Sequence, residues 1–370
     1  MSARSLFVPP ARAVARRYVG ARTRGWEPHS HLFAVGERTA WSVDEDASHL
    51  EETAARLGYE VAPRDWARFA SHQSVFLTSH FEALQPRWLE TSHRLGTAYL
   101  HGRPGTPGYP EFDRAFETLC SAPGRLAAIQ VTHAEMRDLV LEAGVDPGAV
   151  HLVPIGIDLE HFPLVDHERR VAARTALDLP PDAFVVGSFQ KDGVGWGEGL
   201  EPKLVKGPDV LVAALERVAA EVGGLHVLLT GPARGYVRSE LTRRGISNRH
   251  VLAKDRTELA RAYQALDVYV VASRQEGGPK GVLESLASGV PLVTTRVGQA
   301  QEIVADGQSA LVVDVDDAEA IAGAVLRLRD DTELATSLAA VGRVTAQGYA
   351  YVQLDPAWDA LLAQLVTSDG

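Results

Sequence analysis

The sequence predicts an α/β protein built of two doubly wound, Rossmann-like domains facing a cleft. Three observations predict it. The chain has 370 residues, which at roughly 150 residues per domain suggests two. Short apolar runs alternate with helical stretches along most of its length, the pattern of a parallel sheet with helices on both faces. The alternation pauses near residues 158–181, where Leu179-Pro180-Pro181 and the surrounding composition read as a linker with one helix in it.

In order, a strand-like run at 39–43 precedes Asp44-Glu45-Asp46, which lead into a helix stopped by Gly58. Further strands are expected at 74–78, 97–101, 127–132 and 151–155, with a helix over 134–143 and a Gly/Pro-rich loop over 102–110. After the linker, 184–189, 226–230, 250–253, 268–272, 291–295 and 310–313 read as buried parallel strands. Helices are expected between them over 208–222, 234–244, 257–265, 279–287 and 317–328. The expected domains are 1–165 and 166–349. A last helix within 350–370, at 356–365, is expected to cross back onto the first.

Hydrophobic residues are 45% and charged residues 23%, ordinary for a globular protein. The net charge of -11 argues against a nucleic-acid partner. The single cysteine, Cys120, cannot form an internal disulfide and points to a reducing, cytoplasmic setting. No apolar run is long enough to span a bilayer. Residues 1–26 carry six arginines and no acid, with Leu6, Phe7, Val14 and Tyr18 among Arg12, Arg16 and Arg17. This arm is read first as packing on its own domain; a peripheral membrane contact is the alternative. Only five basic residues are lysines, and Lys191, Lys203, Lys206, Lys254 and Lys280 all fall between 191 and 280. A GC-rich genome disfavours lysine codons, so the cluster is either chance or a local need for compact ammonium charge.

Gly193, Gly195, Gly197 and Gly199 do not meet the G-x-G-x-x-G spacing from any start, and no helix opens directly behind them. They read as a flexible loop inserted after the strand ending at Phe189. The 13 histidines show no metal-ligand spacing, so neither a metal nor another cofactor is expected. The strongest signal is Glu276-Gly277-Gly278-Pro279-Lys280-Gly281-Val282-Leu283-Glu284. Here a strand gives way to two glycines, a proline at the expected first helical position, and a helix whose free N–H groups can meet a phosphate. Lys280 adds a cation on the first turn. Two carboxylates separated by seven residues can line one pocket from different depths.

This segment resembles the E-x7-E signature of retaining glycosyltransferases of family 4, which have the GT-B fold. Other landmarks follow in order. Pro154-Ile-Gly156-Ile-Asp158, Lys206-Gly207, Leu229-Thr-Gly231-Pro232 and Asp267-Val-Tyr-Val-Val-Ala-Ser273 resemble family elements, as do Gly298 and Glu302-Ile-Val-Ala-Asp306-Gly307. The likeness covers about positions 183–330 and is thinner before them, resting on Tyr99-Leu-His101 and 153–158. The chain departs from the family pattern at Ser188 (usually Arg), at Gly278-Pro279 (usually Phe-Gly) and at Ile155 (usually Asn). Lys206 is delayed by the insertion.

The resemblance implies transfer of a sugar from a UDP- or GDP-linked donor, without a metal, to an acceptor sugar, lipid or small molecule. It implies that Glu284 accepts hydrogen bonds from the ribose hydroxyls. Lys206, with Lys191 or another base, would hold the diphosphate. Glu276 with Gly277 and Gly278 would contact the transferred sugar. Gly231 and Lys254 would border the donor at neighbouring strand ends. His101 would face the sugar from the first domain, or serve as a structural histidine; the sequence leaves both open. A nucleotide-sugar hydrolase or epimerase, or a non-catalytic nucleotide-sugar binder, are the competing functions.

Overall fold

The structure, a computed structural model, describes residues 8–36 and 42–366, without the side chains of 8–12 and 42–44. It divides into two compact units. The first runs to Val153 and takes up the chain again from Leu354; the second is Pro154–Gln353.

The first unit is built on six parallel strands: β1 (His31–Val35), β2 (Glu60–Val61), β3 (Ser74–Leu77), β4 (Arg94–Ala98), β5 (Leu126–Val131) and β6 (Val150–Leu152). Their order is β2-β1-β3-β4-β5-β6, the flavodoxin-like 2-1-3-4-5 order with one strand added. Side chains alternate between the two faces with period two. Phe33, Val75, Leu77, Leu95 and Ile129 pack with Trp88 and Tyr99 on one side. Leu32, Ala34, Phe76 and Ala128 pack with Leu50, Leu361, Leu362 and Leu365 on the other.

The helix Asp355–Leu365 therefore completes the second face of this sheet. Ser74 Oγ donates to the Leu365 carbonyl at 2.7 Å, Arg56 pairs with Asp355 at 2.6 Å, and Trp358 meets Phe76 edge-on. Each fully buried leucine of this helix contributes about 1.5–3 kcal/mol. Gly96 in β4 has no room for a side chain between Phe76 and Leu365.

The second unit carries β7 (Phe184–Ser188), β8 (Leu225–Thr230), β9 (Ser247–Val251), β10 (Val268–Val271), β11 (Leu292–Thr295) and β12 (Leu311–Val313). They are parallel, in the order β12-β11-β10-β7-β8-β9. Counted within the unit, this is the 3-2-1-4-5-6 order of a dinucleotide-binding sheet, with its switch point between β7 and β10. Strands β10 and β11 are buried along their whole length, as helices on both faces require.

Several expectations need correction. The second unit starts at Pro154, not 166, because Phe162 lies in its core and Val165 donates to Ser288 across its surface. The expected strand at 39–43 falls partly outside the described residues, and positions 42–43 open the helix Ser42–Arg56. The first strand is instead His31–Val35, a short apolar run that opens on a histidine. Strand β4 ends at Ala98, so His101 lies three residues beyond the ladder. Strand β9 ends at Val251, before Lys254.

The arginine-rich arm forms the helix Val8–Arg22. Its Val19 is buried and its Tyr18 packs edge-on against Trp66. Among the described residues, no helix is long and apolar enough to cross a membrane.

Candidate functional site

The chain leaves β7 and β10 at the switch point of the second sheet, and the resulting loops meet there. The loop after β7 returns through the 3-10 turn Leu204–Lys206 to Gly207, which has φ 61°. A side chain on Gly207 would strike the Ala272 carbonyl at the end of β10. Glycine thus lets the Lys206 backbone lie directly on the neighbouring strand end. Arg274 and Gln275 N–H groups both donate to the Val205 carbonyl, at 2.9 and 3.0 Å.

This approach brings Lys206 Nζ to 2.5 Å from Glu276 Oε2, with 23% and 8% of the two side chains exposed. Ser273 Oγ donates to the other Glu276 oxygen at 2.8 Å. Ser273 is fixed in turn by Thr295, whose hydroxyl donates to the Ser273 carbonyl at 2.7 Å. Gln190 Nε2 donates to the Lys206 carbonyl at 2.9 Å. The carboxylate is therefore oriented by a cation and a hydroxyl, while the ammonium keeps an exposed portion for an incoming anion.

Beyond Glu276 the chain turns into the helix Lys280–Ser288. Pro279, expected as the first helical residue, is instead the N-cap with ψ 100°, one residue before the observed start at Lys280; extended ψ excludes it from the helix. Gly278 is needed for a different reason from a left-handed turn. A side chain there would overlap Ile155 and press on Gln299. Gln299 stitches these parts together: its side chain accepts from Ile155 N at 2.6 Å and donates to Ile155 O at 3.0 Å. Its own N–H donates to the Gly277 carbonyl at 2.8 Å. Gly298, at φ 50°, has no space for a side chain beneath the Glu276 and Gly277 carbonyls.

Glu284 sits on the second turn of this helix and accepts a 2.8 Å hydrogen bond from Tyr263. Burial, and then the adjacent Glu284 charge, push the Tyr263 hydroxyl well above its ordinary pKa. Tyr263 therefore stays a donor and fixes one carboxylate oxygen. Gly281 admits Tyr269 beside the first turn, and Tyr269 accepts from Phe189 N at 3.2 Å. Lys280 stands at the helix start, where the macrodipole and a cation act in the same direction on an anion.

Lys191 lies with its ammonium 4.6 Å from the centre of the Trp196 ring. Partial burial, and then nearby Lys206, lower its pKa. Gly231, at φ 89°, lies near the Gln190–Lys191 backbone, and its carbonyl is hydrogen-bonded to His250 Nε2 at 2.7 Å. The structure thus gathers Lys191, Lys206, Glu276 and the Lys280–Ser288 helix at one end of the sheet. Lys254 follows edge strand β9, two strands from β7 at the same carboxyl edge of the parallel sheet, exposed and with its N–H bound to Glu258.

Residues 190–206 are also not the loose loop expected. Gly193 bridges to Pro202, and Val194 N donates to Glu201 O at 2.9 Å. Gly193 and Gly199 lie flat against Ala233 with no room for a side chain.

His101 belongs to the first unit, where its ring packs edge-on against His80, Phe81 and Phe112 at 5.9–6.0 Å. The buried His80 stacks on Tyr99 at 3.9 Å. Burial, and then His101, hold His80 neutral, well below its ordinary pKa. Among the described residues, no group of three His, Cys, Asp or Glu side chains is placed to hold a metal ion.

Sequence reasoning gave no role to Ser273, Gln190, Tyr263 or Gln299. Tyr263 lies in the expected helix 257–265, 21 residues before Glu284, yet nothing in that spacing announces the contact. Ser273 lies three residues before Glu276, while only the fold brings Gln190 and Gln299 to the site.

Residues 197–331 match the family model described as Glycosyl transferases group 1. The chain is 37% identical over 215 residues to D-inositol 3-phosphate glycosyltransferase 2 of Catenulispora acidiphila, covering 54% of this chain and 47% of that one. It is 31% identical over 296 residues to the D-inositol 3-phosphate glycosyltransferase of Corynebacterium urealyticum, covering 76% and 65%. The chain spans about half the length of the curated relatives that head these matches.

Among solved structures it resembles HepE of Anabaena in complex with UDP and glucose, with TM-score 0.70, 15% identity and coverage of 89% and 97%. It also resembles sucrose-phosphate synthase of Thermosynechococcus elongatus, with TM-score 0.69, 20% identity and coverage of 92% and 99%. The two parallel six-stranded sheets are those of the GT-B fold.

Proposed function

We propose that this protein is a retaining glycosyltransferase of family 4 type, transferring a sugar from a nucleotide-diphosphate sugar to a hydroxyl acceptor. The observation that carries the reading is the Lys206–Glu276 pair at the switch point of a dinucleotide-type sheet, directly before the helix Lys280–Ser288. A sugar diphosphate leaves as an anion, and its departure needs charge stabilisation more than protonation. Lys206, Lys191 and the helix start with Lys280 supply that charge without a metal. Glu276, held by Ser273 and Lys206, would turn to the sugar as the diphosphate takes Lys206. Glu284, with one oxygen fixed by Tyr263, would accept from the ribose hydroxyls. The first unit would hold the acceptor, with His101 beside it.

The relatives' names add a donor and an acceptor to test. HepE is complexed with UDP and glucose, and the curated relatives are named for D-inositol 3-phosphate. The deciding experiment incubates the protein with UDP- and GDP-sugars, with and without D-inositol 3-phosphate, in the presence of a chelator. Proton NMR then follows the anomeric signal. The reading expects nucleoside diphosphate release that depends on an acceptor, and a product with the donor's anomeric configuration. An inverted product would refute retention. Free sugar at an undiminished rate without acceptor would replace transferase by hydrolase. Loss of activity with chelator would refute metal independence.

A further inference from the structure

Arg234 and Asp192 form an ion pair at 2.9 Å in which both side chains are wholly buried. Neither belongs to the proposed donor contacts. Arg234 leaves the end of β8 and Asp192 belongs to the insertion after β7. The guanidinium also donates through Nη1 to the Ser188 carbonyl at 2.5 Å and the Thr230 carbonyl at 2.8 Å. One side chain thus ties the carboxyl ends of β7 and β8 to the base of the insertion.

A buried pair of this kind is an expensive way to gain stability, since desolvation offsets most of the attraction. It is an effective way to fix one geometry, and three further observations show where the geometry is fixed. The Asp192 carbonyl accepts from Lys203 N at 2.8 Å, closing the hairpin base. The hairpin's far side is held by Gly235 N to Glu198 O at 2.7 Å and Tyr236 N to Gly199 O at 2.8 Å. Ala233, beside Arg234, adopts φ 55°, a left-handed conformation that a non-glycine residue takes only where the surroundings impose it. The two residues that leave this hairpin at its ends are Lys191, next to Asp192, and Lys206, three positions after Lys203. Both are cations of the proposed donor site.

We infer that Asp192 and Arg234 are positioning residues whose buried pair locks the 190–206 hairpin and so sets Lys191 and Lys206 for the donor's diphosphate. The inference rests on the reading of that pocket as a nucleotide-diphosphate site. The arginine reaches the end of β7 from the neighbouring strand and keeps its charge inside the protein, where it holds the lysines' loop.

The test uses the full-length chain, with UDP and GDP titrated calorimetrically and amide hydrogen exchange followed over residues 190–206. In Asp192→Asn, nucleotide affinity should fall about 10-fold or more, the scale of one lost charge-assisted contact. Exchange at Val194 and Lys203 should quicken while β10 and β11 stay protected. Arg234→Lys keeps the charge without the fork, so it should fall with Asp192→Asn. In kinetics the donor KM should rise while the acceptor KM holds, which a general loss of folding would not produce. If Asp192→Asn fails to fold, Arg234→Lys and the conservative Asp192→Glu carry the same measurements.

Unchanged affinity in a variant whose hairpin exchanges faster would overturn the inference and leave the pocket reading standing. Unchanged exchange in both variants would overturn it as well. Failure of the unaltered protein to bind either nucleotide would overturn the pocket reading, and the inference with it.

Discussion

At the scale of single residues, the site rests on side chains whose partners come from elsewhere in the chain. Glu276 is held by Lys206, 70 positions away, and Glu284 by Tyr263, 21 positions away. Lys191 gives a pH prediction. Partial burial and Lys206 lower its pKa, so it loses its proton at a lower pH than an ordinary lysine at 10.5. Affinity for UDP should therefore begin to fall as pH rises toward that value. Lys191→Met should bind more weakly at neutral pH and lose this pH dependence; calorimetry across the alkaline range checks both.

Gly278 gives a packing prediction. A methyl group there overlaps Ile155, and overpacking of this kind costs about 1–3 kcal/mol. Gly278→Ala should be destabilised by that amount in denaturant titration, and Gly278→Ala with Ile155→Ala should recover part of it. Additive losses in the double variant would rule out the contact as the cause. The residue types at positions 206, 276 and 284 were legible in the sequence because the family pattern marks them. Gln299 was not, since its role depends on loops returning to one point, which local spacing cannot encode; Ser273 lies three residues before Glu276, but nothing in the sequence marks its hydroxyl.

At the scale of elements, the connection after β10 is clamped by Arg274. Its guanidinium reaches Asp209, on the first turn of the helix Pro208–Glu221, at 2.8 and 2.7 Å, and Asp316 at 2.5 Å. Burial would raise the Asp209 pKa, but the paired guanidinium outweighs it and holds the carboxyl below its ordinary 3.8. A carboxylate with a lower pKa folded than unfolded stabilises the fold above its unfolded value. That stabilisation is lost as pH falls through the folded value. The melting temperature should therefore drop on acidification below the ordinary carboxylate range. Asp209→Asn should be less stable at neutral pH and show a shallower acid loss.

The second sheet was the most legible part of the fold. Its central strands β10 and β11 are buried along their whole length, and β10 stands out as the uninterrupted apolar run Val-Tyr-Val-Val. The first sheet was harder. Strand β1 is five residues long and opens on a histidine, β2 is only two residues, and neither has a strong period. The hairpin at 190–206 was misjudged for a physical reason. Glycine-rich sequence reads as slack, yet Gly193 and Gly199 serve close packing against Ala233.

At the scale of the whole molecule, net charge and local chemistry diverge. The chain carries -11 overall, while Lys191, Lys206 and Lys280 gather about one sheet end. The lysine cluster noticed in the composition corresponds in large part to that end, with Lys254 two strands away on the same edge. The domain plan followed from length and alternation, and the returning helix expected at 356–365 is Asp355–Leu365. The return at Leu354 is set by burial of Leu361, Leu362 and Leu365 against the first sheet. Replacing Leu362 with Ala should destabilise the protein by about 2–5 kcal/mol, measured by denaturant titration.

The central claim, a nucleotide-diphosphate donor held between Lys206 and Glu284, is tested most directly by calorimetric titration of UDP and GDP into the unaltered protein and Glu284→Gln. The account predicts one-to-one binding of at least one nucleotide by the unaltered protein. It predicts binding weakened about 10-fold or more in Glu284→Gln, with the melting temperature little changed. No binding to the unaltered protein, or equal affinity in the variant, would contradict it.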